Sequence, residues 1–483
     1  MAATPISTAA AFLLLVAFTA LFVCCSTQTP PAYCAIRGCC PGRDDECHAP
    51  FPTSNPTTRC YCDLFCNRSD ADCCPDFYGE CLGIEPPREI EELRKVELEL
   101  LCCHDDKDYP VGATLQVNCN TCTCTPVLYE FASFVCEQKD CAIKPLALDQ
   151  INDGNFGWFA GNQTAFWGTT TEDMMHYRLG TMKPTPAVMS MNELQADMGD
   201  VVLPDEFDSR AHWPGLITDV QNQGNCASSW AMSTTATASD RLAIQSNGTL
   251  RAAHLSPQHL LSCNVKRQQG CNGGHLDRAW WYMRKRGIVS EQCYPYMSGM
   301  SPDLQMKKGT CFIKGRGGPS YCPNPAIRSE RYVSTPPYRI KNDEQQIQAE
   351  IFRNGPVQAV FNVKSDFFMY RGGVYRHIAM KATPTDVKFS TDQSAVQGDG
   401  VFEDEEGGWH SVRILGWGVD RSYANRPLKY WLCANSWGKE WGENGLFRVI
   451  RGENECGIES LVIGVWAKID SDMMSPMKSN NVI

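Results

Sequence analysis

The chain has 483 residues, 43% of them hydrophobic, which suits about two to four domains with real cores. Its formal charge of −11 argues against nucleic acid as a default partner, while leaving room for a local basic patch that meets acidic glycans. The 27 cysteines are concentrated, with 17 of them between Cys34 and Cys141. Such density belongs to small secreted domains that need cross-links to hold together. Zinc is the competing reading of Cys60-Tyr61-Cys62 and Cys122-Thr123-Cys124, but zinc ribbons favour C-x-x-C spacing. Disulfides are therefore expected, with no metal and no cofactor.

In chain order, residues 1–26 read as a secretory signal. The apolar run Ala9–Val23 is too short to span a bilayer comfortably, although no Lys or Arg precedes it, so a retained anchor is the competing reading. No later run is long and apolar enough to cross a membrane, and no membrane insertion is expected after cleavage. Sequons at Asn67, Asn162 and Asn247 fit the same route as glycosylation sites. Between Cys34 and Cys81, the run Cys60-Tyr61-Cys62-Asp63-Leu64-Phe65-Cys66 followed by Asp72-Cys73-Cys74 resembles a somatomedin B domain, over residues 30–84. That knot uses eight cysteines, so Cys40 and Cys47 look like an added pair. Residues 85–101 form a charged linker, whose spacing of Ile90, Leu93, Val96 and Leu100 after Pro86-Pro87 predicts a short helix. Residues 102–141, with Asn118-Cys119-Asn120-Thr121-Cys122-Thr123-Cys124, resemble a von Willebrand factor type C-like module. Their odd count of seven cysteines implies one pairing outside the module.

Residues 142–202 are poor in cysteine and rich in large rings, which a plain linker would not need. Phe156-Gly157-Trp158, Phe166-Trp167-Gly168 and Tyr177-Arg178-Leu179-Gly180-Thr181 resemble the short propeptide of cathepsin B. From Leu203-Pro204 onward the chain looks like the start of a mature peptidase domain, over 203–469, with 470–483 as a tail. Trp230–Gln245, without Gly or Pro and rich in alanine, predicts a buried helix. Gly355–Phe361 and Val412–Gly416 read as strands beside turns. Helices first and strands later suit an α+β architecture with a cleft between its halves.

Three segments carry the chemistry. Gln223-Gly224-Asn225-Cys226-Ala227-Ser228-Ser229-Trp230, Trp409-His410-Ser411-Val412 and Ala434-Asn435-Ser436-Trp437-Gly438 resemble the nucleophile, histidine and asparagine segments of papain-type cysteine peptidases. The resemblance implies a papain-like two-lobed fold, a helical lobe plus an antiparallel β-barrel lobe. It implies His410 as base, Asn435 as its orienter under Trp437, and Gln223 as an oxyanion donor beside the main-chain N–H of residue 229. It also implies a Cys226–Cys271 disulfide. Serine, however, stands where the nucleophilic cysteine belongs. A cysteine at a helix N-terminus beside histidine ionises with a pKa of roughly 3–4 instead of about 8.5. An alcohol is several units less acidic still, and serine peptidases use one only with a buried carboxylate behind the histidine. An asparagine at 435 carries no such charge. The acidic run Glu403-Asp404-Glu405-Glu406 reads as a solvated loop. Between Cys293 and Cys322 there is no histidine, unlike the occluding loop of cathepsin B, and Leu461 stands where cathepsin B has an acidic specificity residue.

A somatomedin B-like knot, a second cysteine module, a cathepsin B-like pro-segment and a serine-for-cysteine peptidase domain together resemble the tubulointerstitial nephritis antigen family, in its antigen-like branch. That resemblance implies a secreted, catalytically inactive glycoprotein of basement membrane and extracellular matrix. The implied partners are matrix proteins and cell-surface receptors such as integrins. The alternatives are an active hydrolase using Ser229 and His410, and a decoy whose cleft holds peptides without cutting them.

Overall fold

A computed structural model describes residues 33–50, 59–66, 73–74, 76–84, 101–128, 131–191, 193–195, 202–250, 254–299, 311–313, 322, 330–379, 407–422 and 427–468. The expected signal, Asn67, the acidic run 403–406 and all but one residue of the charged linker lie outside them. That one residue, Leu101, opens a strand, Leu101–His104. The chain forms two compact units, 1–138 and 139–483.

In the first unit the cross-links do the work of a core. Cys34–Cys62, Cys39–Cys81, Cys40–Cys47, Cys60–Cys74 and Cys66–Cys73 are bonded. The buried cluster around them is mostly sulfur, with Tyr33, Ala49, Phe77 and Tyr78 as its other members. So small an apolar set leaves the bridges to restrict the unfolded chain, as in other small disulfide-dense domains. The Sγ atoms of Cys34, Cys62 and Cys74 lie within 4.8 Å of one another, but each belongs to a disulfide and offers no thiolate to a metal. Residues 101–136 make a hairpin of Leu101–His104 with Lys107–Pro110 and an antiparallel sheet of Thr114–Val117, Asn120–Leu128 and Phe131–Cys136. Cys102–Cys124 and Cys122–Cys136 staple them.

The second unit is built on a ten-stranded sheet. Its order runs Trp158–Ala160, Tyr370–Tyr375, Leu446–Ile450, Leu428–Ala434, Gly408–Asp420, Val357–Val363, Val462–Gly464, Tyr338–Ile340 and Glu193–Leu194, with Phe207–Asp208 added on Gly408–Asp420. Both terminal strands of that path come from residues 142–202. The same segment sends Ile151, Trp158, Phe166, Met174 and Leu179 into the main core, beside Phe361, Phe367, Trp437 and Trp441. Its aromatic richness is thereby explained: the rings are core of this unit, and Trp158 lies 5.1 Å from the Tyr375 ring.

Against the sheet lies the helix Ser229–Gln245, buried along nearly its whole length. Small residues let it pack closely, and Thr234, Thr235 and Ser239 return their hydroxyls to carbonyls four residues back. Two buried ion pairs tie it to the strands. Arg241 donates to Glu350 at 2.8 Å and to the Pro356 and Val465 carbonyls, and Arg413 reaches Asp240 at 2.5 Å. Such pairs fix register more than they add stability, since desolvation offsets most of the attraction. Cys226–Cys271, Cys263–Cys311 and Cys293–Cys322 close the helical side. Among the described residues no helix is long and apolar enough to cross a membrane.

Candidate functional site

Ser229 is the first residue of the buried helix, so its main-chain N–H has no partner within the helix and is left to bond elsewhere. His410 sits on the strand Gly408–Asp420 opposite Phe361, and Asn435 follows the neighbouring strand Leu428–Ala434. Gln223 is held by main-chain bonding to Ser436 at 2.8 Å and accepts the Ser436 hydroxyl at 2.7 Å. The fold therefore brings Gln223, Ser229, His410 and Asn435 together, all of them buried. His410 Nε2 bonds Asn435 Oδ1 at 2.8 Å, and the Trp437 ring lies 5.2 Å from the imidazole. Burial pushes His410 down to about 4, only partly opposed by the Asn435 bond, so the ring is neutral at pH 7.

What fills the cleft is the chain itself. The strap Tyr177–Met182 crosses it, following the helix Thr171–Arg178. The Leu179 carbonyl accepts from Gln223 Nε2 at 3.1 Å and from the Ser229 main-chain N–H at 3.3 Å. Those are the two donors expected to meet an oxyanion. The strap is held on both sides: Gly274 N–H donates to the Gly180 carbonyl, Met182 N–H to the Gly274 carbonyl, and Thr181 N–H to the Trp409 carbonyl. Trp437 donates its indole N–H to the Arg178 carbonyl at 2.6 Å. Gly180 has φ +116°, and a Cβ there would lie 2.1 Å from the Ala227 carbonyl oxygen, so only glycine lets the strap lie this deep.

Thr181 then engages the reactive position. Its hydroxyl donates to Ser411 Oγ at 2.8 Å and lies 2.9 Å from Ser229 Oγ. A hydroxyl has one proton, so Ser229 is the donor to Thr181. Ser233 gives its proton to the Ser229 carbonyl at 2.7 Å, which makes Ser411 the donor to Ser233, also at 2.7 Å. Four hydroxyls thus run in one direction, from the Ser229 side chain through Thr181, Ser411 and Ser233 back to the Ser229 carbonyl. Gln358 anchors the far side, donating to Ser233 and accepting the Trp280 indole. His410 Nδ1, the atom that would take the Ser229 proton, is buried without a hydrogen-bond partner among the described residues. Thr181, Ser233 and Ser411 were not singled out in the sequence; the one available signal was a hydroxyl directly after His410.

Beside the strap a hollow of about 210 Å³ remains, lined by Met175, His176, Asn272, Gly273 and Trp409 among others. Cavities that enclose a drug-sized ligand run to roughly 300–1,000 Å³, so a peptide does not fit it while the strap is in place. Asn162 and Asn247 are exposed, as glycan acceptors must be.

A nucleophile-position serine at a helix N-terminus, a histidine–asparagine pair under tryptophan and two donors converging on one carbonyl define a papain-type site. Residues 203–391 and 377–466 match the papain family cysteine proteases. A solved structure, procathepsin B S9 from Trypanosoma congolense, is 27% identical, with a TM-score of 0.54 over 68% of this chain and 99% of its own. Similarity extends through the cysteine modules as well. Tubulointerstitial nephritis antigen-like from Rattus norvegicus is 44% identical over 92% of this chain and 90% of its own, and tubulointerstitial nephritis antigen from Homo sapiens is 40% identical over 91% and 88%. The chain belongs to the tubulointerstitial nephritis antigen family.

Proposed function

We propose that this chain is a secreted, non-catalytic glycoprotein of the extracellular matrix and basement membrane, acting in matrix binding and cell adhesion. One observation carries the inactive half of this reading. The proton on Ser229 is committed to Thr181, away from His410, while the oxyanion donors are satisfied by Leu179. General-base catalysis needs that proton within reach of the base, and the alcohol has no thiolate state to fall back on. The disulfide density and the exposed sequons support the secretory half. Matrix proteins and cell-surface receptors are the proposed partners. The chain has no Arg-Gly-Asp tripeptide, so an integrin contact would use another surface.

The test is a fluorophosphonate probe applied to the folded, purified protein, alongside turnover of a peptide library. No label at Ser229 and no turnover are expected. Label at Ser229 together with peptide cleavage would replace this reading with an active hydrolase. A peptide-binding decoy would first have to expel the strap.

A further inference from the structure

The helix Leu276–Arg286 buries Leu276, Ala279, Trp280 and Met283 and turns its other face outward. That face carries Arg278, Trp281, Arg284 and Lys285, with Arg286 beside them; Trp281 is 54% exposed, a large ring to leave in water. Arg278 and Lys285 are two turns apart, about 10 Å along the axis. The preceding loop adds exposed Lys266 and Arg267, and it is tied to the helix start. Gln268 exchanges hydrogen bonds with the main chain of His275, and Asn264 donates to the Arg278 carbonyl. At the other end Arg331 donates to the Arg286 carbonyl.

Between Lys266 and Arg286 there are six Lys and Arg against one acid, Asp277, in a chain whose net charge is −11. None of the six forms an ion pair among the described residues, whereas Arg210, Arg376, Arg421 and Arg448 elsewhere in this unit do. Helix polarity explains only part of the pattern. Cations in the last turn complement the helix dipole, so Arg284, Lys285 and Arg286 have a local reason to be there. Arg278 stands in the first turn, where a cation is unfavourable, and its Nε is buried without a hydrogen-bond partner among the described residues. Lys266 and Arg267 are not on the helix at all.

We infer that this face binds a sulfated polysaccharide. A row of guanidinium and ammonium groups matches regularly spaced sulfates, and arginine's planar fork donates paired hydrogen bonds to their oxygens. The exposed Trp281 indole among the cations offers an apolar face for a sugar ring to pack on. A chain cross-linked by disulfides is made and kept in an oxidising compartment, where the abundant polyanions are glycans and not nucleic acids. The inference stands apart from the inactive cleft and from whatever the cysteine modules bind.

The experiment uses the full-length protein and a heparin dodecasaccharide, with affinity measured across salt. Retention at physiological ionic strength, about 0.15 M, is expected. R284E/K285E/R286E should weaken it at least tenfold and flatten the log–log salt slope by about two to three. R284Q/K285Q/R286Q, a milder change, should move both quantities the same way, and K439E on a separate surface should move neither. Fully desulfated heparin should not bind. Absence of binding at that salt, equal binding by the triple variants, or equal affinity for single-stranded DNA of matched charge would each overturn the assignment.

Discussion

His410 and His259 share a property that reaches beyond the cleft: burial holds both imidazoles below their ordinary value near 6.5, to about 4 and about 3. The unfolded chain therefore binds more protons than the folded one below pH 6.5. The stability contributed by these two neutral rings is complete above that value and is lost as pH falls toward 4 and 3. Glu291 acts in the opposite sense. Burial raises it to about 7, so its contribution is complete below about 4.5 and fades as pH rises through 7. Two groups against one leave a net loss of about 2–3 kcal/mol on going from pH 7 to 4.5. Urea unfolding at the two pH values measures it, and His410→Gln should shallow the dependence by about one proton. Equal stability at both pH values would contradict the burial argument.

The strap is the element on which the cleft depends, and Gly180 is its weakest point. A methyl group at Gly180 meets the Ala227 carbonyl, so Gly180→Ala should lift Tyr177–Met182 out of the cleft. A reporter thiol reads this directly. In Ser229→Cys the new thiol sits beneath the strap and should alkylate slowly with iodoacetamide, whereas in the double variant with Gly180→Ala it should react at least tenfold faster, since local opening limits access. Peptide mapping separates it from the free thiols of Cys433 and Cys456. Equal rates would mean the strap guards nothing. Much of this site was readable beforehand. The helix from Trp230 and the strand through Val412 follow from local pattern, and the grouping of Gln223, His410 and Asn435 from the resemblance of their segments to those of papain-type peptidases. The hydroxyl chain was not readable, because its side-chain links join residues 48 to 230 positions apart and single serines and threonines have no periodic signature. The buried Arg241–Glu350 and Arg413–Asp240 pairs were missed for the same reason: charged residues on a helix pattern read as solvent-facing until the packing is known.

At the scale of the whole molecule the two units owe their stability to different chemistry. Residues 33–84 have a core made largely of bonded sulfur, while residues 139–483 pack a large aromatic and aliphatic interior. Mild reduction should therefore unfold the first unit and leave the second resistant to limited proteolysis, with each lost bridge costing about 2–5 kcal/mol. If matrix adhesion resides in the cysteine modules, binding to a basement-membrane extract should vanish under the same reduction. Binding that survives it would move the adhesive surface to residues 139–483. Cys40–Cys47 was legible as a surplus pair, since eight cysteines already complete the knot; the helix expected over 90–100 lies outside the described residues, and Leu101 opens a strand.

The pro-like segment supplies the outermost strands on both flanks of the large sheet, Trp158–Ala160 and Glu193–Leu194. Excising residues 142–202 would strip Tyr370–Tyr375 and Tyr338–Ile340 of those partners, leaving two open rows of amides and carbonyls that invite pairing with another copy. Trimming would thus yield sticky, polymer-prone material in place of a matured domain. While it stays in place, the segment acts as a selvedge that keeps the fabric from fraying into its neighbours.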